Sequence, residues 1–204
     1  MKWLTVLLCI ALAGPVLADP VDPDPDGIGI YFEPGAGNGS WCATAPEGSL
    51  VTAYLCLTRA SDISGFTAWE AAVETSAPGA LVGFNILGGG INTATAPEMV
   101  VTLDTPLPFQ LSTILAEITV DVVWEWSVGL RVLPAASPQG PVNLPGYATV
   151  DDPVNFQPLQ YSWGWNQATE SPNWCATIND DNCLSQPGVP TEERSWESVK
   201  SLYR

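Results

Sequence analysis

The stretch LAEITVDVVWEWSVGLRVL, residues 115–133, alternates apolar and polar side chains over most of its length. Its apolar residues occupy the even positions from Ile118 to Val132, and polar residues fill most of the odd positions between them. A period of two residues is typical of a β-strand that buries one face. Because single strands usually run ~3–10 residues, we predict a bulge or tight turn near Trp124 and Glu125 that makes two strands of this stretch.

Several shorter segments carry the same signal. Strands are predicted at residues 27–32, 50–58 and 99–103, and the alternation resumes at 161–165. In the 50–58 segment Leu55 and Leu57 lie on the core-facing side, so Cys56 is expected to point away from the core. Turns rich in glycine and proline separate these segments at frequent intervals. The pattern predicts an all-β chain that folds as an antiparallel β-sandwich.

The composition excludes several functions. The 204 residues include 22 acidic and 6 basic side chains and no histidine. A net charge of −16 repels phosphate groups, so nucleic acids and anionic membranes are poor partners. Without histidine, Ser-His-Asp and Cys-His catalysis and imidazole metal sites are excluded. Apolar residues make up 46 % of the chain, which is enough to build a core.

The N-terminus has the order of a secretory signal peptide: Lys2, an apolar run at residues 3–13, and compact residues before Asp19. The run is shorter than the ~20 apolar residues that span a bilayer. We therefore expect residues 1–18 to be removed and the mature protein to be secreted, periplasmic or extracellular, without a membrane span. An acidic, proline-rich lead follows at residues 19–27.

The sandwich domain is predicted to cover residues 28–186, and residues 187–204 are predicted to form a linker and a C-terminal helix. The apolar residues of SWESVKSLYR, residues 195–204, fall on one helical stripe: Trp196, Val199, Leu202 and Tyr203. Lys200 and Arg204 lie toward the end of this helix, where they complement its dipole. A helix this short is marginal in water, so we expect it to dock on another surface.

Four cysteines remain after signal cleavage: Cys42, Cys56, Cys175 and Cys183. An even number in a secreted chain indicates two disulfides, and four cysteines permit three connectivities. We favour the local pairs Cys42–Cys56 and Cys175–Cys183, because each pair closes a short loop. One alternative is four free, buried thiols, which would require a reducing compartment. Another is a zinc site, which would need four thiolates without the usual CxxC spacing.

The order of AYLCLTRASDISGFTAWEAAV (53–73), a glycine-rich turn and LAEITVDV (115–122) resembles the cohesin-type β-sandwich. The resemblance covers about residues 50–135. With the segments above, the predicted fold is an antiparallel β-sandwich, cohesin-like or jelly-roll, with a short C-terminal helix. The stretches at 26–36, 141–148 and 195–204 also resemble a group of uncharacterised secreted bacterial proteins, which implies a periplasmic or extracellular site.

The N-terminal lead and first strand contain the spacing D-x-D-x-D-G-x5-E of a calcium-binding loop, in Asp22, Asp24, Asp26, Gly27 and Glu33. In that interpretation the aspartates and Glu33 supply oxygen ligands, and Gly27 allows the turn. Signal cleavage leaves no room for an entering helix, however, and prolines stiffen the loop. We therefore favour a solvated acidic lead and predict no cofactor, with calcium as the alternative.

Tyr161, Trp163 and Trp165 share one face of a predicted strand, and an exposed row of such rings can stack on sugars. The alternative is that these rings fill the core, as we expect of Trp124 and Trp126. Glycoside hydrolysis requires two carboxylates. Glu125 is a candidate for one of them, but no pattern identifies its partner, so an enzyme is not predicted.

These observations predict a secreted, non-enzymatic β-sandwich that acts in binding or as a cell-surface or extracellular structural component. Its expected partner is a protein or a polysaccharide at the cell surface. The alternative function is a carbohydrate-binding module or a carbohydrate-active enzyme that uses the aromatic platform of Tyr161, Trp163 and Trp165.

Overall fold

A computed structural model describes residues 24–37, 40–123, 127–136, 138–140, 143–162, 165–166 and 171–181. Among these residues, no helix has the length and apolar character needed to cross a membrane. The described residues form fifteen strands. In chain order they are β1 (Gly27–Tyr31), β2 (Cys42–Ala43), β3 (Leu50–Thr58), β4 (Phe66–Thr75), β5 (Leu81–Ile86), β6 (Ile91–Asn92), β7 (Glu98–Leu107), β8 (Ser112–Asp121), β9 (Val128–Leu133), β10 (Gly146–Thr149), β11 (Gln157–Pro158), β12 (Gln160–Tyr161), β13 (Trp165–Asn166), β14 (Ser171–Pro172) and β15 (Ala176–Ile178).

Two sheets form the layers of a β-sandwich, which confirms the predicted sandwich, whereas the C-terminal helix predicted within residues 187–204 lies outside the described residues. The first sheet has five strands in the order β12-β1-β3-β8-β5. In the second sheet the strands pair in the sequence β11-β10-β4-β9-β15-β2. In addition, β7 pairs with β4, and β6 pairs with β7. The pairs β1–β12 and β15–β2 are parallel, and the other pairs are antiparallel. Strands β13 and β14 pair separately.

One hydrophobic core lies between the two sheets. The first sheet contributes buried residues such as Leu55 and Leu57 of β3, and the second contributes Trp69 and Val73 of β4. These side chains come from both layers and belong to one continuous cluster. Burial of their apolar surface is the main stabilising contribution to such a domain.

The stretch at residues 115–133 forms two strands, as predicted. Strand β8 ends at Asp121 and β9 begins at Val128. The even-numbered apolar residues that the structure describes are buried in the core: Ile118, Val120, Val122, Val128, Leu130 and Val132. The predicted break at Trp124 and Glu125, together with Trp126, lies outside the described residues.

Strand β4 runs through the middle of the second sheet, with β7 along one side and β10 followed by β9 along the other. Trp69 and Ala71 face the core, so Glu70 between them faces outward. The long connection after β9 covers this outer face, and Glu70 is fully buried. Its carboxylate accepts hydrogen bonds from the backbone N–H groups of Gln139 (2.6 Å) and Gly140 (3.0 Å).

A second, smaller cluster lies on the outer face of the first sheet. It consists of three buried residues: Tyr31 of β1, Ala36 of the loop after β1, and Cys56 of β3. The Tyr31 hydroxyl donates a hydrogen bond to Ser162 (3.1 Å). The cluster confirms that Cys56 points away from the main core, although the side chain is buried rather than exposed.

Candidate functional site

A groove with a volume of about 560 Å³ lies at one edge of the sandwich, beside strand β5. Strand β5 ends the first sheet and is paired only with β8 among the described strands. Apolar side chains from β4, from β5 and from the turn before β7 line the groove: Val73, Leu81, Val82, Phe84, Ile86 and Pro97. Three of them, Leu81, Phe84 and Ile86, also pack against the core. The core therefore reaches the surface at this edge.

The apolar lining is open to solvent at β5, where Val82 is 51 % exposed. An exposed apolar side chain in a concave surface is typical of interaction sites. Single exposed apolar residues elsewhere on the described surface, such as Val154, need no such explanation.

Two uncharged polar residues of the groove, Thr75 and Asn92, already form hydrogen bonds within the protein. The Thr75 hydroxyl donates a hydrogen bond to the Ala77 carbonyl oxygen (2.9 Å). The Asn92 amide donates to the Glu98 carbonyl oxygen (3.0 Å), and its oxygen accepts from the Val100 N–H (2.8 Å). These groups shape the groove, and the surface left for a ligand is mainly apolar.

Glu74 is the charged member of the described lining, and it forms an ion pair with Arg131 of β9. The Arg131 Nε and Nη2 atoms lie 2.7 and 2.5 Å from Glu74 Oε2. The same guanidinium lies 4.6 Å from the ring centre of Trp174, a cation–π distance. The ring covers Gly129, where a Cβ atom would approach it to 2.9 Å. This cluster fixes the carboxylate at the end of the groove.

The predicted aromatic platform is described only in part. Tyr161 is half-buried and packs against the main core, and burial raises the pKa of its hydroxyl to about 12. Trp165 lies in β13, but its side chain is outside the described part of the structure, and Trp163 is outside it altogether. Sugar binding by these three rings stays a prediction.

The predicted calcium ligands have different surroundings. Asp24 and Glu33 are exposed, and Asp22 lies outside the described residues. Asp26 has a structural role: its carboxylate accepts hydrogen bonds from the Ser61 N–H (2.8 Å) and the Tyr147 hydroxyl (2.5 Å). Within the described ranges, no three Asp, Glu, Cys or His side chains are grouped in a way that could hold a metal ion.

The structure corrects the disulfide prediction. Cys56 and Cys175 are buried free thiols, so neither Cys42–Cys56 nor Cys175–Cys183 forms. The physical reason is that Cys42 lies in the second sheet, whereas Cys56 lies on the outer face of the first. Cys175 lies in the core, where its thiol donates to the Leu130 carbonyl oxygen (3.5 Å). Cys42 is disulfide-bonded, and Cys183 lies outside the described residues.

Burial also sets the chemistry of the two free thiols. It raises the pKa of Cys56 to about 12 and the pKa of Cys175 to about 11. Because the thiolate is the reactive form of cysteine, both side chains are inert at neutral pH. They belong to the core of the protein rather than to a catalytic site.

Sequence reasoning did not find the groove. Its strand, LVGFNI at residues 81–86, has apolar residues at the even positions 82, 84 and 86, and Leu81 is an additional one beside a register shift between Leu81 and Gly83. This alternation was the available signal for a strand, but alternation alone does not show that the strand ends a sheet beside a groove. Glu70 was missed because the loop that buries it comes about 70 positions later.

Solved structures of other proteins are similar to this chain at low sequence identity. No family model matches the sequence, and no curated protein matches it. The sixth cohesin of scaffoldin B from Acetivibrio cellulolyticus, solved in complex with a Cel5 dockerin variant, is similar with a TM-score of 0.43 and 10 % identity. That similarity covers 75 % of this chain and 96 % of the cohesin. CaCohA2 from Clostridium acetobutylicum is similar with a TM-score of 0.38 and 11 % identity, over 74 % of this chain and 88 % of the other.

Proposed function

We propose that this chain is an exported, non-enzymatic binding module, and that the groove beside β5 receives an apolar segment of a protein partner. The observation that carries the proposal is the combination of a sheet edge and an apolar groove of about 560 Å³. Ligand sites commonly have volumes of ~300–1,000 Å³. Sheet edges and apolar grooves are two surfaces that proteins use to hold peptide segments.

The chemistry of the lining supports binding rather than catalysis. Thr75 and Asn92 are held by hydrogen bonds within the fold. Glu74 is held in its ion pair with Arg131, so its carboxylate already has a partner within the fold. The free thiols Cys56 and Cys175 are buried and protonated. What remains for recognition is apolar surface and the edge of β5.

The proposed export has separate support. The N-terminal residues have the order of a signal peptide, and Cys42 is disulfide-bonded. Disulfides form and persist in oxidising compartments outside the cytosol. An acidic exterior, with 22 acidic against 6 basic residues in the chain, also keeps a secreted protein soluble.

Panning of a random twelve-residue peptide library displayed on phage tests the groove. The bait is the full chain. We expect enrichment of peptides with two or more large apolar residues. Adding Val82→Lys to the bait should abolish their binding, because a lysine would lie in the groove, whereas Val154→Lys, on an exposed loop that does not line the groove, should preserve it.

Two results would overturn the proposed function. One is the absence of any enriched peptide. The other is enrichment of peptides that bind the Val82→Lys and Val154→Lys baits equally well, since such peptides would recognise another part of the surface. Circular dichroism of each bait checks that the sandwich is folded before the comparison is made.

A further inference from the structure

We infer that the partner binds beside β5 as an added β-strand: an extended, basic segment pairs with the free edge of β5 and places an apolar side chain in the groove at every second residue. The inference rests on the proposed function, because it takes the groove to be a binding surface. It goes further by naming the conformation, the sequence pattern and the charge of the segment. Strand addition to an exposed sheet edge is an established mode of peptide recognition.

Strand β5 differs from the other described strands that end the two sheets of the sandwich. The terminal strands β12, β11, β2 and β6 have two residues each, whereas β5 has six. Very short edge strands, charged side chains and proline are the usual protection of a sheet edge against pairing with another chain. The sequence of β5, LVGFNI, contains no charged residue and no proline. Among these terminal strands, β5 is therefore the one best suited to pair with an added strand.

The free edge of β5 carries the backbone groups of two residues that also line the groove. In the antiparallel register of β5 with β8, the Leu87 N–H donates to the Leu115 carbonyl oxygen (3.1 Å). Because hydrogen-bonded pairs alternate along an antiparallel ladder, the N–H and C=O groups of Phe84 and Ile86 point away from β8. The side chains of these two residues line the groove. They therefore offer both hydrogen bonds and apolar contact to a segment that lies beside β5.

The groove determines the side-chain pattern of the added strand. Residues that lie opposite each other in neighbouring strands have their side chains on the same face of the sheet. The residues opposite Phe84 and Ile86 therefore point into the groove, toward Val73 and Pro97 on its other side. The residue between them points outward like Asn85, which is exposed to solvent. The pattern that fits is apolar at every second position and polar between.

The charge of the chain favours a basic segment over a second copy of the protein. The chain carries 22 acidic and 6 basic residues and a net charge of −16. Two copies repel each other, whereas a basic segment is attracted, and both effects are strongest at low ionic strength. Since β5 itself is uncharged, the basic residues of the segment belong outside the positions that point into the groove.

Native-state hydrogen exchange, measured by NMR on the full chain, tests the free edge without any ligand. We expect the amides of Phe84 and Ile86 to exchange about tenfold or more faster than the amide of Leu87, which is bonded to β8. Equal protection of the three amides would overturn the inference, because the edge would already be paired. Protection that disappears on dilution would also overturn it, because a second copy would then occupy β5.

An octapeptide that alternates leucine and threonine between two terminal lysines is the probe for strand addition. Its addition should slow the exchange of the Phe84 and Ile86 amides by about tenfold or more and leave the exposed control Val154 unchanged. A control peptide of the same composition, with its leucines in one block, should give no such protection. Failure of the alternating peptide to protect the two amides, or equal protection by the block peptide, would overturn the inference.

Backbone methylation of the probe separates strand pairing from apolar contact alone. One peptide is N-methylated at its leucines and another at its threonines. Their affinities for the full chain should differ by about tenfold or more, because only alternate N–H groups of an added strand face β5. Equal affinities would overturn the inference, since the segment would then bind through its side chains without pairing.

The two proposals fail in different ways. If library peptides require Val82 but leave the amides of Phe84 and Ile86 unprotected, the proposed function stands and strand addition is wrong. If no library peptide is enriched but the alternating octapeptide protects both amides, strand addition at β5 stands and the proposed function is wrong.

Discussion

Glu70 is a carboxylate buried on the outer face of β4, where two backbone N–H groups hold it. Hydrogen bonds to charged groups contribute ~1.5–3 kcal/mol, and a buried donor left without a partner costs ~1–3 kcal/mol. In Glu70→Gln the amide NH2 group would face the N–H of Gln139 or Gly140. We expect this variant to lower the free energy of unfolding by about 2 kcal/mol, measured by urea denaturation.

The matched control for Glu70 is Glu47→Gln, which makes the same chemical change in an exposed turn. Its free energy of unfolding should stay within about 0.5 kcal/mol of the wild type. Equal denaturation midpoints for the two variants would mean that the hydrogen bonds from the loop at residues 138–140 to the Glu70 carboxylate do not stabilise the fold.

The free thiols of Cys56 and Cys175 should be inaccessible to reagents in the folded protein. Both are buried, and burial raises their pKa values to about 12 and about 11. We expect no reaction of the native mature protein with 5,5′-dithiobis(2-nitrobenzoic acid) at pH 8. Two thiols per chain should react after unfolding in guanidinium chloride. Rapid reaction of either thiol in the native state would contradict the structure at that residue.

At the scale of elements, local alternation predicts which residues form strands, but it does not predict which strands lie side by side in a sheet. The strand predicted at residues 50–58 is β3 with the same bounds, and the predicted division of 115–133 into two strands corresponds to β8 and β9. The cysteine pairing was wrong because sequence proximity placed Cys42 with Cys56. The strands that carry these residues belong to different sheets, and that layer assignment depends on contacts far apart in the chain.

The pairing of β2 with β15 instead predicts a disulfide between Cys42 and Cys183. Cys42 is disulfide-bonded, and Cys56 and Cys175 are free, so Cys183 is the predicted partner if residues 1–18, which contain Cys9, are removed as the sequence predicts. In the parallel pair, Ile178 lies opposite Ala43, only five positions before Cys183. Mass spectrometry of a non-reduced digest should find one cross-linked peptide with these two cysteines. A bridge from Cys42 to any other cysteine would refute this assignment.

At the scale of the whole molecule, the site depends on a layer arrangement that composition and alternation do not specify. The groove exists because β5 ends one sheet while β4 and the turn before β7 belong to the other. The sequence shows the apolar residues of β5 but not which strand they face. The predicted sandwich and the groove thus have different origins: the first follows from local periodicity, and the second from the relative position of two sheet edges.

The molecule as a whole should lose stability in alkaline solution. The pKa values of two thiols and two tyrosines are raised in the folded state, chiefly by burial: Cys56, Cys175, Tyr147 and Tyr161. In the unfolded chain these groups lose protons near their ordinary values, ~8.5 for cysteine and ~10 for tyrosine. Between pH ~9 and ~12 the folded state therefore binds more protons than the unfolded state, and stability falls as the pH rises.

Urea denaturation at pH 7, 8, 9, 10 and 11 measures this loss. Since the chain has no histidine, the midpoint should change little between pH 7 and 8. Above pH 9 each buried thiol should remove up to about 1.4 kcal/mol of stability per pH unit until its folded pKa is reached. The variant Cys56→Ala/Cys175→Ala should show a shallower alkaline decline. A midpoint that stays constant to pH 11 would mean that these groups ionise as readily in the folded protein as in the unfolded chain.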